Sequence, residues 1–136
     1  MNDDWKEVGG GGDGLPVDRL PRFVEIPGFT NLWTRLGLTD ADLLDVQTTI
    51  ASRPAAGAVV AGTNGVRKLR YATREGGRGK SGAFRVFYLL ALEHGVVFLV
   101  AALAKSDREN LTKAERNAVA KLAAALKAEF GEGSGS

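Results

Sequence analysis

At 136 residues, with 44% hydrophobic and 25% charged side chains, the chain is sized and composed for one globular domain, which excludes wholesale disorder and a collagen-like repeat. The absence of cysteine and the single histidine, His94, exclude disulfides, thiolate metal sites and thiol catalysis and leave little for a Ser-His-Asp arrangement. The net charge of +2 hides an asymmetry: residues 1–52 carry four Lys/Arg against nine Asp/Glu, a net of −5, and residues 53–136 carry fourteen against seven, a net of +7, so the second part faces a polyanion or attracts the first.

Residues 1–21 read as a flexible leader with the run Gly9-Gly10-Gly11-Gly12-Asp13-Gly14, and residues 131–136 as a linker or expression scar, leaving one domain over 22–130. The start lacks the basic and apolar regions of a secretory signal, and no run of about 18 apolar residues occurs, so a cytoplasmic protein with no membrane partner is expected. Arg22–Ile26 is a short strand stopped by Pro27. Phe29, Leu32, Trp33 and Leu36 share helical spacing up to Gly37. Thr39 is an N-cap with Asp40 and Asp42 in the first turn, where the helix dipole favours negative charge; Leu43, Val46 and Ile50 mark the buried face, and the helix ends before Pro54. Ala58–Ala61 is apolar but of undecided type, and Gly62–Gly65 is a turn cluster. Val66–Ala72, Ala83–Leu92 and Val96–Leu103 form an antiparallel meander, with a Gly-rich basic loop at 73–82 and a tight turn at Glu93-His94-Gly95. Thr112-Lys113-Ala114-Glu115 is a capping box opening a helix whose apolar stripe is Val119, Leu122, Leu126 and Phe130. The expected fold is α+β: a small antiparallel sheet with the N-terminal helices and the C-terminal helix packed on one face.

The chemistry concentrates in residues 67–85. Seven of the eighteen basic side chains lie there, Arg67, Lys68, Arg70, Arg74, Arg78, Lys80 and Arg85, opposed only by Glu75. Such a density repels itself unless an anion neutralises it. Strand alternation puts Lys68 and Arg70 on one face and lets Arg85 join them from the next strand, in a cationic patch on the sheet face free of helices, rimmed by the 76–82 loop. A solvated sheet face with alternating polar side chains would explain any one of these residues, though less readily all of them together. The end of that loop, Gly79-Lys80-Ser81, looks like a P-loop, but the first glycine of that motif would fall on Arg74 and no helix follows, so nucleotide binding there is rejected. His94 reads as a turn residue remote from the patch. Lys105, after the last strand, reads equally as a surface lysine beside acids or as a fourth member of the site.

Three blocks in order carry a family resemblance: Gly62-Thr63-Asn64-Gly65-Val66-Arg67-Lys68-Leu69-Arg70, Gly79-Lys80-Ser81-Gly82-Ala83-Phe84-Arg85-Val86-Phe87-Tyr88, and Ala104-Lys105-Ser106-Asp107-Arg108-Glu109-Asn110-Leu111-Thr112. Together with the opening Phe23-Val24-Glu25 they resemble the HigB-type branch of the RelE/ParE toxin superfamily, the toxins of type II toxin–antitoxin modules. Asn64 and Ala83 stand where that pattern has glycine, Leu89 where it has a second tyrosine, and Ser106 where it has asparagine. The resemblance implies a RelE-like fold and a ribosome-dependent, metal-independent endoribonuclease that cuts mRNA, with no cofactor. It further implies a cognate antitoxin, and the ribosome and mRNA, as partners. Carried over by position, Lys68, Arg70, Arg85 and Lys105 are the catalytic candidates, Arg85 on the scissile phosphate, and Arg67, Arg74, Arg78 and Lys80 hold RNA backbone. A gyrase-inhibiting toxin on the same scaffold and a non-catalytic basic module that binds RNA or a protein partner are the alternatives.

Overall fold

The computed structural model describes residues 20–73 and 83–129. In chain order the elements are β1 (Arg22–Glu25), α1 (Phe29–Arg35), α2 (Asp40–Ser52), β2 (Ala58–Val59), β3 (Arg67–Ala72), β4 (Ala83–Ala91), β5 (Val96–Ala104) and α3 (Lys113–Glu129), with short 3-10 turns at Pro54–Ala56 and Leu92–His94. The expected leader and tail, apart from Leu20 and Pro21, lie outside the described residues. No described helix is long and apolar enough to cross a membrane.

The five strands make one mixed sheet in the order β1-β5-β4-β3-β2. The meander β3-β4-β5 is antiparallel as expected, and the undecided Ala58–Ala61 run supplies β2, which pairs with β3 through Ala58↔Lys68 and Val59↔Arg67. The α+β class holds, but the sheet is not all antiparallel: β1 lies parallel to β5, from Arg22↔Val96 to Glu25↔Leu99. Two helices and three strands separate β1 from β5 in sequence, and a pairing that distant leaves no local signature.

The helices also do not share a face. One core holds Phe29 and Trp33 of α1 and Val46 and Ile50 of α2 against Leu69, Val86, Tyr88, Val97 and Leu99. A second holds Ala123 of α3, with Val119, Leu122 and Leu126 around it, against Phe87, Leu89, Val96, Phe98 and Val100. Adjacent residues of β4 thus enter opposite cores, and the strand is a nearly unbroken apolar run because both its faces are covered. A bulge tunes this alternation. Phe87 pairs with Ala101 and Tyr88 with Leu99, so Val100 is the extra residue on β5, and beyond it Ala102 returns to the α1/α2 side.

Local chemistry sets the element ends. Thr39 caps α2 in a reciprocal box: its hydroxyl accepts from the Asp42 N–H (3.1 Å), and the Asp42 carboxylate accepts from the Thr39 N–H (2.9 Å). At α3, the Thr112 N–H donates to Glu115 (2.8 Å) and the Glu115 N–H to the Thr112 hydroxyl (3.1 Å). Asn64, one of the departures from the family-like pattern, has φ of 61°, the left-handed region where asparagine is the tolerated substitute for glycine. Its side-chain amide donates to the Ala120 carbonyl (2.9 Å) and so ties the β2–β3 connection to α3.

Candidate anion-binding groove

Lys68, Arg70 and Arg85 come together as the strand alternation predicts. Lys68 pairs with Phe87 and Arg70 with Arg85, so all three lie on the face that Phe87 and Leu89 share with α3. The face is therefore not free of helices. The cations occupy its end near the Ala72 terminus of β3, past the α3-covered apolar cluster. Lys105 joins them from the turn that ends β5, where its N–H donates to the Ala83 carbonyl (3.0 Å). Arg70, Tyr71, Ala72, Ala83, Arg85 and Lys105 line an open cavity of about 290 Å³.

Arg85 and Arg70 are directly opposed across the ladder, where side chains stand roughly 5 Å apart and like charges destabilise the pair. The fold answers with a carboxylate that the sequence reading passed over. Glu109, on the segment between β5 and α3, accepts from Arg85 Nε (2.8 Å) and Nη2 (3.0 Å) in a fork-to-fork pair. Arg85 Nη1 donates to the Phe84 carbonyl (3.2 Å), so every nitrogen of the guanidinium is engaged. The Arg85 side chain is 5% exposed and that of Glu109 50%. Lys68 Nζ lies 3.4 Å from the Glu109 backbone carbonyl. The hydrogen bond from Arg85 and the positive fields of Arg85, Lys68 and Lys105 hold the Glu109 carboxyl below the usual carboxylate range, against a smaller opposing effect of burial. The one signal for Glu109 in the sequence was its place among acids beside Lys105.

Tyr71, at the groove rim, donates its hydroxyl to Asp42 Oδ1 (2.7 Å) and Asp45 Oδ2 (3.2 Å) on α2. Burial first, and then the Asp42 hydrogen bond, raise its pKa far above the ordinary tyrosine value. Arg67 lies outside the groove: it is half-buried, and its Nη1 donates to the Gly57 carbonyl (2.7 Å) beside Tyr88. Arg108 pairs with Glu115 on α3 (2.5 Å). His94 sits at the opposite end of the β4–β5 hairpin, six residues of strand from Arg85, or roughly 20 Å. Arg74, Arg78 and Lys80 lie outside the described residues.

A buried arginine fork flanked by two lysines and a second arginine, beside an open groove, offers the charge and geometry to hold an oxyanion such as phosphate. The comparison with family models gives that class its identity: residues 29–132 match the RelE toxin of the RelE/RelB toxin–antitoxin system, and the chain belongs to that family. Among solved structures, the chain is similar to the toxin RelE of E. coli, a double arginine-to-alanine mutant in the free state, with 16% identity and a TM-score of 0.46 over 65% of this chain and 87% of that one. No curated protein matches the chain.

Proposed function

We propose that this protein is a HigB-type toxin that arrests translation by cutting mRNA on the ribosome, and that a cognate antitoxin restrains it in the cytoplasm. The observation that carries the reading is the convergence of Arg70, Arg85 and Lys105 on one groove, with Lys68 beside it on the same sheet face, in a member of a toxin family. RNA carries its own nucleophile. The 2′-oxygen bonds to phosphorus, its proton leaves to a base, the phosphorus–5′-oxygen bond breaks, and the 5′-oxygen takes up a proton; the products are a 2′,3′-cyclic phosphate and a free 5′-hydroxyl. The protein must hold the strand in line and stabilise the charge that builds on the phosphorane. Arg85 suits the scissile phosphate because a planar fork matches two phosphate oxygens. Lys68 and Arg70 share charge stabilisation and proton transfer, and Lys105 is the fourth cation. The steps need no metal or small-molecule cofactor. Arg74, Arg78 and Lys80 are proposed to hold mRNA or ribosomal RNA along the rim.

The test is translation in vitro followed by primer extension on the mRNA. Wild-type protein is expected to produce cuts only where ribosomes engage the message, and Arg70→Ala and Arg85→Ala to lower the cutting rate by about a hundredfold or more, the scale for removing one charge-stabilising donor. Full activity in both variants would refute the site. Tight RNA binding without cutting would favour the non-catalytic alternative, and DNA damage in place of translational arrest the gyrase one.

A further inference from the structure

The groove already contains an anion. Glu109 presents two oxygens to the Arg85 fork at 2.8 and 3.0 Å, the arrangement a phosphodiester would adopt with its two non-bridging oxygens. The two partners are unequally held. Arg85 is sequestered at 5% exposure and anchored to the Phe84 carbonyl on its own strand. Glu109 is half exposed, and the segment that carries it, between Ala104 and Lys113, has no helix or strand of its own. While Glu109 is seated, both N–H positions that a phosphate fork would use are occupied.

We propose that Glu109 is the resident counter-ion of the phosphate site, and that an RNA phosphodiester enters by exchanging with it on Arg85. This rests on the RNA-directed reading of the groove. The exchange gives the free protein a neutralised fork, which relieves the Arg70–Arg85 repulsion, and it sets a threshold that only a well-placed phosphate passes. The Phe84 carbonyl keeps the guanidinium oriented while its anion changes.

The experiment is a binding titration of the full chain with a short deoxyribonucleotide, which lacks the 2′-hydroxyl and is not cut, and with inorganic phosphate in a parallel arm. Affinity and the Arg85 Nε–H signal in ¹⁵N–¹H spectra are both read. Glu109→Gln removes the charge and keeps the shape, and is expected to tighten oligonucleotide binding by about three- to tenfold, up to 1.4 kcal/mol by the usual conversion. Glu93→Gln, which removes an equal charge at the far end of the hairpin, is expected to change it by less than about twofold. In an Arg85→Ala background the gain from Glu109→Gln should vanish. In wild type the Arg85 Nε–H signal should shift along the titration as its acceptor changes. A response to inorganic phosphate alone would assign the site to small anions instead of a nucleic-acid backbone and overturn the RNA part. Unchanged or weaker binding by Glu109→Gln, or an equal gain without Arg85, overturns the exchange. Neither readout needs cleavage, so a wild-type protein that never cuts mRNA would refute the ribonuclease reading and leave this result standing on its own.

Discussion

Asp42 holds α2 to the sheet, and replacing it with alanine should cost about 2 kcal/mol. Asp42 is 6% exposed and its carboxylate serves two purposes. One oxygen accepts from the Thr39 N–H and hydroxyl (2.9 and 3.0 Å), the second half of the α2 capping box; the other accepts from the Tyr71 hydroxyl (2.7 Å). Alanine keeps the Thr39 cap on its own N–H, so about half of the usual ~1 kcal/mol cap effect is lost. A hydrogen bond to a charged acceptor is worth about 1.5–3 kcal/mol, taken at the low end because Asp45 still accepts from Tyr71 at 3.2 Å. The sum, about 2 kcal/mol, corresponds to a drop of about 8 °C in Tm for a domain of this size. Urea unfolding followed by the fluorescence of Trp33, which stacks on Phe29 with centroids 5.4 Å apart, measures it. Asp45→Ala should cost less than about 1 kcal/mol, and a double-mutant cycle of Asp42→Ala with Tyr71→Phe should show a coupling of about 1 kcal/mol. A loss below about 0.5 kcal/mol for Asp42→Ala, or additive behaviour with Tyr71→Phe, would refute this account of how α2 is fastened behind the groove.

The chain has two tyrosines, Tyr71 and Tyr88, and both folded pKa values are raised, chiefly by burial. The folded state therefore keeps protons that the unfolded chain releases near pH 10; stability is intact below that pH and declines above it, and absorbance at 295 nm should show tyrosinate appearing with unfolding and not as a separate step. Early tyrosinate in a folded protein would contradict the bonds of the Tyr71 hydroxyl to Asp42 and Asp45 and those of the Tyr88 hydroxyl, which donates to the Pro54 carbonyl (2.7 Å) and accepts from the Gly57 N–H (2.9 Å). Asn64→Gly should be tolerated within about 1 kcal/mol, whereas Asn64→Val, a β-branched residue forced to positive φ without the bond to Ala120, should lose about 2 kcal/mol or more in the same urea assay.

Much of the site was legible locally. Lys68 and Arg70 fall on one face because side chains alternate along a strand, and a two-strand meander brings Arg85 opposite. Lys105 follows the last strand by a single turn. Glu109 was not legible, because nothing in the spacing of Lys105, Asp107, Arg108 and Glu109 says which acid reaches back across 24 residues to Arg85 and which cation pairs instead with Glu115. Arg67 shows the converse: it reads like its neighbours in a basic run, yet alternation sends it away from the groove to the Gly57 carbonyl.

Local rules sufficed for whatever depends on neighbours in the chain. The caps at Thr39 and Thr112, the helical stripes, the order of β3, β4 and β5 and the concentration of positive charge all follow from sequence, because capping, periodicity and hairpin closure act over a few residues. Only tertiary structure decided the parallel seating of β1 on β5, the division of the helices between two faces and the shift of alternation at Val100. These are set by which distant apolar surfaces bury one another. For the same reason the groove is not a bare cationic patch. A buried guanidinium needs a partner, and the carboxylate that the fold delivers to it is Glu109.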